Sequence, residues 1–437
     1  MCIRDSLEMH AFAMPTPATP VTGTGGRFFD APQLKAALAK GAISRSRIDE
    51  MVGNILRTMF RHGLFDRRTD QNAATFTADV STKHQAIARR AAAEATVMLK
   101  NRGSLLPLPK VPGGRTIAVI GWAAGPIGSM NSVSGGGSSR TGLPGRVISP
   151  LEGITTQALA NGDLVVYADG SSEGADRPDL GLHPGICATI FCQNLPIDQT
   201  DLIAAVTAAN PHNVVVLDIG APVTMPWLAD AGAVLVPWYA GLQHGNALAD
   251  VLYGRAEPGG RLPQTFPVDE KQAPFRPAQY PGVGGVAKYS DGLLVGYRAY
   301  DAHHKKPLFP FGYGLGYTTF DYRGLKVKKR GQTVRVSLVV RNTGSRTGAA
   351  VPQVYVGFPR KAGEPPRQLK GFRKVRLAPG ASKRVTIRLG PRAFAHWSSK
   401  QDRWVVKQGR YRILVGPDSR TFPLKGAVRL PRTSLPK

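Results

Sequence analysis

Apolar residues recur along residues 48–60 with the rhythm of one helix face. Ile48, Met51, Val52, Ile55, Leu56, Met59 and Phe60 fall at i, i+3, i+4, i+7, i+8, i+11 and i+12. Ser46 is placed to cap that helix, and Gly63 can take the left-handed conformation that ends it. A second helix is expected over residues 83–99, with an alanine-rich face through Ile87, Ala88, Ala91, Ala92 and Ala95. The polar stretch 67–81 between them reads as a linker.

The pattern then changes period. Short apolar runs of strand type at 116–120, 164–168, 213–219 and 233–238 alternate with helical segments at 200–208 and 246–253. Continuous Val/Ile-rich strands separated by helices predict a parallel sheet covered on both faces. From Leu325 the period becomes two. Val334, Val336, Leu338 and Val340 alternate with polar neighbours, and similar stretches follow at 351–356, 384–389 and 411–415. Turn sequences of Pro-Gly, Asn-Thr-Gly and Gln-Gly lie between them, which predicts an all-β sandwich of roughly 100 residues. No internal repeat or low-complexity tract interrupts the chain.

Length and composition narrow the class. The 437 residues are enough for about three domains. With 42% hydrophobic and 20% charged residues, global disorder is excluded. No apolar run approaches the roughly 18–20 residues that a membrane helix needs, so no span is expected. Three cysteines provide neither a disulfide framework nor a four-cysteine zinc site. Residues 1–6 fit no element, and no signal-peptide pattern follows them, so Met1 is not taken as a native start. The cellular address therefore stays open, a secreted or periplasmic one being compatible.

The formal charge of +28 is concentrated. Residues 323–437 hold 29 Lys and Arg against three acids (Glu364, Asp402, Asp418), a net +26, so the first 322 residues carry only +2. That step marks a boundary near Tyr322. A field of this sign attracts polyanions, and a purely solubilising surface is the alternative. Aromatics are not interleaved with the basic residues, and no recognition-helix signature occurs, so no specific nucleic-acid partner is expected.

Several motifs are weak. Gly121, Gly125 and Gly128 after the 116–120 strand do not have GxGxxG spacing, and no acid follows at the right distance for a ribose contact. The run Gly135-Gly136-Gly137-Ser138-Ser139 is either a ligand loop at a strand's carboxyl end or a flexible connector. No GxSxG occurs, so an esterase-type serine has no elbow. His303-His304 lacks a further ligand at metal spacing, and no metal or cofactor is expected. Cys187 and Cys192 are close enough for a local disulfide, or are two buried thiols. Glycoside hydrolysis needs two carboxyl groups, and Ser171-Ser172-Glu173-Gly174-Ala175-Asp176-Arg177 offers one in a loop. By spacing alone, Asp176 and Arg177 would merely pin that loop, with Glu173 on the surface.

A longer series of residues carries a resemblance. Ser171-Glu173-Gly174-Asp176-Arg177 with Asp179-Leu180 resembles the SEGxDRxxL segment of family 3 glycoside hydrolases. The family's order continues through Gly220-Ala221-Pro222-Val223 with Met225-Pro226-Trp227, Trp238-Tyr239-Ala240-Gly241, Ala249-Asp250-Val251-Leu252-Tyr253-Gly254 and Gly260-Arg261-Leu262-Pro263. It goes on through Thr265-Phe266-Pro267, Val295-Gly296-Tyr297-Arg298 and Pro310-Phe311-Gly312-Tyr313-Gly314-Leu315. Asn342-Thr343-Gly344, Gln353-Val354-Tyr355-Val356 and Leu369-Lys370-Gly371-Phe372 are similar to that family's fibronectin-III-like domain.

The resemblance implies a retaining, exo-acting glycosidase of β-glucosidase type, acting on an oligosaccharide or glycoside. Its fold would be an α/β sandwich followed by a fibronectin-III-like β-sandwich, after a (β/α)8 barrel. It makes Glu173 the acid/base candidate and sets Gly136, Gly137 and Ser138 beside the sugar. The expected organisation is a barrel remnant over 1–66, a linker and leading helix over 67–114, the α/β sandwich over 115–280, a connecting segment over 281–321 and the β-sandwich over 322–437. Two departures from the family are expected to matter. The SDW-like segment that carries the family's Asp nucleophile occurs nowhere here, Leu7-Glu8-Met9 already corresponding to a later stretch of the barrel. A βα unit of roughly 25 residues between Gly170 and Ser171 also looks deleted, which would uncover an apolar sheet edge. The rival expectation is a non-catalytic carbohydrate- or wall-associating protein with a basic β-sandwich.

Overall fold

The structure is a computed structural model that describes residues 31–66, 82–126, 147–170, 197–272, 276–279 and 282–436. These residues fall into two compact units, the first ending at Asp66 and the second beginning at Thr82.

The first unit holds two helices, α1 (Ala31–Ala39) and α2 (Arg45–Arg61). Ser44, not Ser46, caps α2. Its backbone is extended (φ −86°, ψ 153°) and its hydroxyl accepts from the Arg47 N–H at 3.2 Å. Ser46 already lies inside the first helical turn, where a side chain cannot reach forward to an unpaired N–H. Gly63, at φ +63°, sits just past the helix end.

The second unit opens with α3 (Thr82–Ala95), shorter than the periodicity predicts, because Val97, Met98 and Leu99 leave the helix to form β1 (Val97–Asn101). This apolar run is completed on both faces by tertiary packing: all three side chains are buried. Three more strands bear out the expected runs, β2 (Thr116–Ile120), β3 (Leu164–Ala168) and, in shortened form, β4 (Val214–Val216). The fifth, β5 (Ala233–Val236), stops at Pro237, and Trp238 turns the chain with φ +62°. β4 pairs parallel with β5, and β2 pairs parallel with β3. β1 lies antiparallel to β5, so the sheet β1-β5-β4 is mixed rather than all parallel.

Helices α4 (Pro150–Asn161), α5 (Ile197–Ala209) and α6 (His244–Leu252) supply the crossovers and cover. Ser149 caps α4 by accepting from Glu152 N–H at 3.1 Å, and Gly162 ends it at φ +85°. The two helices α4 and α6 touch at Gly153 and Gly245, where an added methyl would overlap backbone across the contact. Two acids anchor this layer, Asp163 buried and Asp250 partly so. Asp163 accepts from Arg115 and from the Tyr253 hydroxyl at 3.2 Å, and Asp250 takes both Nε and Nη2 of Arg89 at 2.5 and 2.7 Å. At the β3 edge, Leu164 (64% exposed) and Val166 (53%) stay open to solvent.

A connecting stretch runs back over the sheet. Leu315 bridges Met98 on β1, Phe309 bridges Phe266, and the Tyr313 hydroxyl donates to the Leu99 carbonyl at 3.3 Å. The short helix α7 (Tyr297–Ala302) presents Asp301 to Arg367 and Arg420.

The all-β part follows: β6 (Phe320–Arg330), β7 (Thr333–Asn342), β8 (Gly348–Ala350), β9 (Gln353–Gly357), β10 (Gln368–Phe372), β11 (Val375–Leu377), β12 (Ser382–Leu389), β13 (Ala395–Ser398), β14 (Arg403–Val406), β15 (Gly409–Gly416), β16 (Leu424–Leu430) and β17 (Thr433–Leu435). The sheets β12-β7-β6 and β10-β9-β15-β16 enclose one core. Val334, Val336, Leu338 and Val340 of β7 and Val354, Val356, Ile413 and Val415 of the other sheet meet in it. The 351–356 run is not one strand with its neighbours, since Pro352 has no N–H for a ladder and separates β8 from β9.

Candidate functional site

Ligands of α/β sheets bind outside the carboxyl ends of parallel strands. β2 and β3 run side by side, with Ile120 opposite Ala168, so their carboxyl ends are neighbours. From that end the chain passes through Gly121 and the short turn at Trp122 on one strand, and through Asp169 and Gly170 on the other. The segment with Gly136, Gly137 and Ser138 follows the first exit, and the segment with Glu173 follows the second. Those four residues lie outside the described residues, as do Cys187 and Cys192.

The carboxyl ends of β4 and β5 are described in full. β4 leads through Leu217, whose N–H still bonds Leu235, to Asp218 and Ile219. β5 leads to Trp238, whose ring meets Phe266 edge-on at 6.4 Å, and to the half-exposed Tyr239. Gly220 packs beside the Tyr239 ring, where an added Cβ would come within 2.9 Å of a ring carbon and the ring would have to shift. His244 opens α6 behind these loops.

The composition of this corner is unusual in one respect. Asp218 Oδ1 lies 3.4 Å from His244 Nε2, and the imidazole is fully buried while the carboxylate side chain is 14% exposed. Burial pushes the Asp218 carboxyl up from 3.8 to about 7 and the His244 imidazole down from 6.5 to about 4. Both groups are driven toward their neutral forms because an enclosed charge loses its hydration. At neutral pH the pair is a neutral imidazole beside a carboxyl group that holds and releases its proton. Gln243 beside it is also buried, reaching Gln85 Oε1 at 3.3 Å and accepting from Asn246 at 2.8 Å.

Spacing gives no hint of this pair. Asp218 follows four apolar residues and reads as the end of a strand, and only the packing of α6 against β4 and β5 brings His244 to it. The single legible signal is an acid directly after a Val-Val-Val-Leu run at a strand's carboxyl end. Among the described residues no group of three or more His, Cys, Asp and Glu is placed to hold a metal ion. None of their helices is long and apolar enough to cross a membrane.

Comparison with known proteins covers most of the chain. Residues 96–317 match the glycosyl hydrolase family 3 C-terminal domain, and residues 350–419 match the fibronectin type III-like domain. The thermostable beta-glucosidase B of Acetivibrio thermocellus is 35% identical over 427 residues, which takes in 91% of this chain and 54% of that protein. An exo-alpha-(1->6)-L-arabinopyranosidase of Bifidobacterium breve is 35% identical over 429 residues, 89% of this chain and 53% of its own length. Among solved structures, beta-glucosidase 3B from Thermotoga neapolitana superposes with a TM-score of 0.75 at 29% identity, covering 93% of this chain and 61% of that one. The chain thus spans about half the length of the curated relatives it matches.

Proposed function

Because the chain belongs to glycoside hydrolase family 3, we propose that it forms the acid/base-bearing half of a retaining exo-glycosidase that removes terminal β-linked glucosyl or related residues. In this reading Glu173 protonates the leaving oxygen and then takes a proton from the attacking water. Gly136, Gly137 and Ser138 border the sugar, where side chains no larger than a hydroxymethyl let the backbone approach a ring. A proton donor at neutral pH must be held above the usual carboxyl range, which closure against a second carboxylate and an apolar wall supplies.

The observation that supports this most directly is the parallel pairing of β2 with β3. It starts the Gly-rich segment and the Glu173 segment from adjacent strand ends, at Ile120 and Ala168. A covalent step further needs a nucleophilic carboxylate about 5–5.5 Å from the acid/base group. No Ser-Asp-Trp triplet occurs in these 437 residues, so that carboxylate is proposed to come from a barrel domain that is not among them.

The purified chain is therefore expected to hydrolyse neither an aryl β-D-glucoside nor an aryl α-L-arabinopyranoside. Addition of a separately expressed family 3 barrel is expected to restore turnover. Glu173→Gln should then lower it by about 10²–10⁴-fold, the usual share of a general acid. Turnover by the chain alone, or a mixture in which Glu173→Gln is as fast as the parent, would refute the assignment.

A further inference from the structure

The +26 charge of residues 323–437 is a property of the sequence, but its arrangement is a property of strand register. In the sheet β12-β7-β6, alternate side chains enter the core and the rest face solvent. Across the solvent face Arg388 of β12 stands opposite Arg335 of β7, which stands opposite Lys328 of β6. Further along come Thr386, Ser337 and Lys326, then Arg384, Val339 and Arg323, then Ser382, Arg341 and Asp321. Arg330 extends the β6 end. The eight cations are exposed, and among the described residues none of them forms an ion pair or a side-chain hydrogen bond.

Like charges directly opposite one another destabilise a sheet. A surface needed only for solubility has no reason to place Arg388, Arg335 and Lys328 in one row, since scattered charges would serve as well. At the β12 edge the face continues into a cleft of about 460 Å³ lined by Arg373, Arg376, Lys383 and Arg384. Lys374 also lines it and is paired with Glu94 at 2.8 Å.

We propose that this face and its cleft are a docking surface for a linear acidic polysaccharide, a chain of carboxylated or sulfated sugars lying across β12, β7 and β6. Six of the eight side chains are arginines, whose planar forks match carboxylate and sulfate oxygens in pairs. Neighbouring strands are about 4.8 Å apart, and successive outward residues on one strand are about 6.8 Å apart, a lattice on the scale of single sugar units. Ser337 and Thr386, whose hydroxyls lie 2.8 Å apart between the cationic rows, offer partners for neutral sugar hydroxyls. The outward positions carry no aromatic ring, so the stacking platform that single-stranded nucleic acid requires is missing. A sheet face without a projecting helix or ribbon also has nothing to enter a duplex groove.

The test is retention of the full chain on immobilised polygalacturonate, with neutral dextran, single- and double-stranded oligonucleotides and anionic phosphatidylserine vesicles as competitors. Binding is expected at ~50 mM salt and is expected to be lost at ~500 mM, as for contacts screened within a Debye length. The triple variant Lys328→Ser, Arg335→Ser, Arg388→Ser should bind at least tenfold more weakly and melt no lower than the parent, because a row of repelling charges has gone. An equal removal of charge elsewhere, Lys361→Ser, Lys400→Ser, Arg432→Ser, should change binding less than twofold. If the first triple variant melts lower, single Lys328→Ser and Arg388→Ser on the outer strands decide, each expected to weaken binding severalfold. Equal losses in the two triple variants, unchanged binding in the singles, or no retention at low salt would overturn the proposal. So would more effective competition by an oligonucleotide or by the vesicles than by free polygalacturonate at the same charge concentration.

Discussion

Arg367 grips Asp301 through two guanidinium nitrogens, at 2.7 and 2.5 Å, and the carboxylate side chain it holds is only 1% exposed. Arg420 approaches the same carboxylate at 3.2 Å. Three segments of different origin thereby meet on one acid: α7, the approach to β10 and the exit from β15. Nearby, Tyr297 accepts from the Leu369 N–H at 2.8 Å and stacks on Phe311, so α7 is fixed to the β-sandwich by both charge and ring packing.

Asp301→Ala would take the carboxylate from Arg367 and leave Arg420 only the Lys305 carbonyl. We expect a loss of about 3–5 kcal/mol, the range for removing one partner of a buried pair. Asp301→Asn keeps the shape and one acceptor and should lose less. Urea unfolding with the slope held in common reads both.

The Asp218–His244 pair makes stability depend on pH in two opposed ways. His244, depressed to about 4, contributes a cost in acid: the unfolded chain takes up a proton below about 6.5 and the folded one does not, so stability falls from pH 6.5 toward 4. Asp218, raised to about 7, has the reverse sign. The folded state keeps its proton between about 3.8 and 7, so stability declines as pH rises through that window. The two slopes oppose each other between pH 4 and 6.5. Removing one exposes the other. Asp218→Asn should gain more, relative to the parent, at about pH 8 than at about pH 5, by about 1–3 kcal/mol. His244→Gln leaves only the Asp218 slope and should gain stability relative to its parent as pH falls from about 6.5 toward 4. Melting temperatures of the three proteins from about pH 4.5 to 8.5 test both signs, and parallel curves would reject the assignment.

Gly153 and Gly245 bring α4 and α6 into close contact, where an added side chain at Gly153 overlaps the facing main chain. Gly153→Ala must push the helices apart, and about 1–3 kcal/mol or more is expected from overpacking. In contrast, Gly53 of α2 meets no neighbour within 4 Å. Gly53→Ala there should be neutral or slightly stabilising through helix propensity. Paired thermal melts give the comparison directly.

The parts of this architecture readable from sequence are those that local periodicity determines. β2 and β3 fall on the expected residues because their apolar runs are bounded by Arg115 and Gly121, and by Asp163 and Asp169. β1 merges with the preceding helix in the sequence pattern, because Val97, Met98 and Leu99 fit either period and only pairing with β5 decides between them. The cap of α2 is displaced by two residues because Ser44 and Ser46 are equivalent in composition and differ only in backbone conformation. Family membership is legible in ordered short motifs spread over the chain. The Asp218–His244 contact and the cationic rows are not, since each depends on which strand or helix lies beside which.

β1 is held from both sides by segments made much later: β5 on one flank and the 313–315 stretch on the other, with Leu99 and Tyr313 separated by 214 positions. At usual elongation speeds of about 5–20 residues per second, Val97, Met98 and Leu99 emerge from the ribosome roughly 10–40 s before their last partner is translated. Throughout that interval a sticky, strand-forming segment hangs from the nascent chain. Production of this protein in a foreign host should accordingly be governed by translation tempo and by holdase supply more than by the stability of the finished fold.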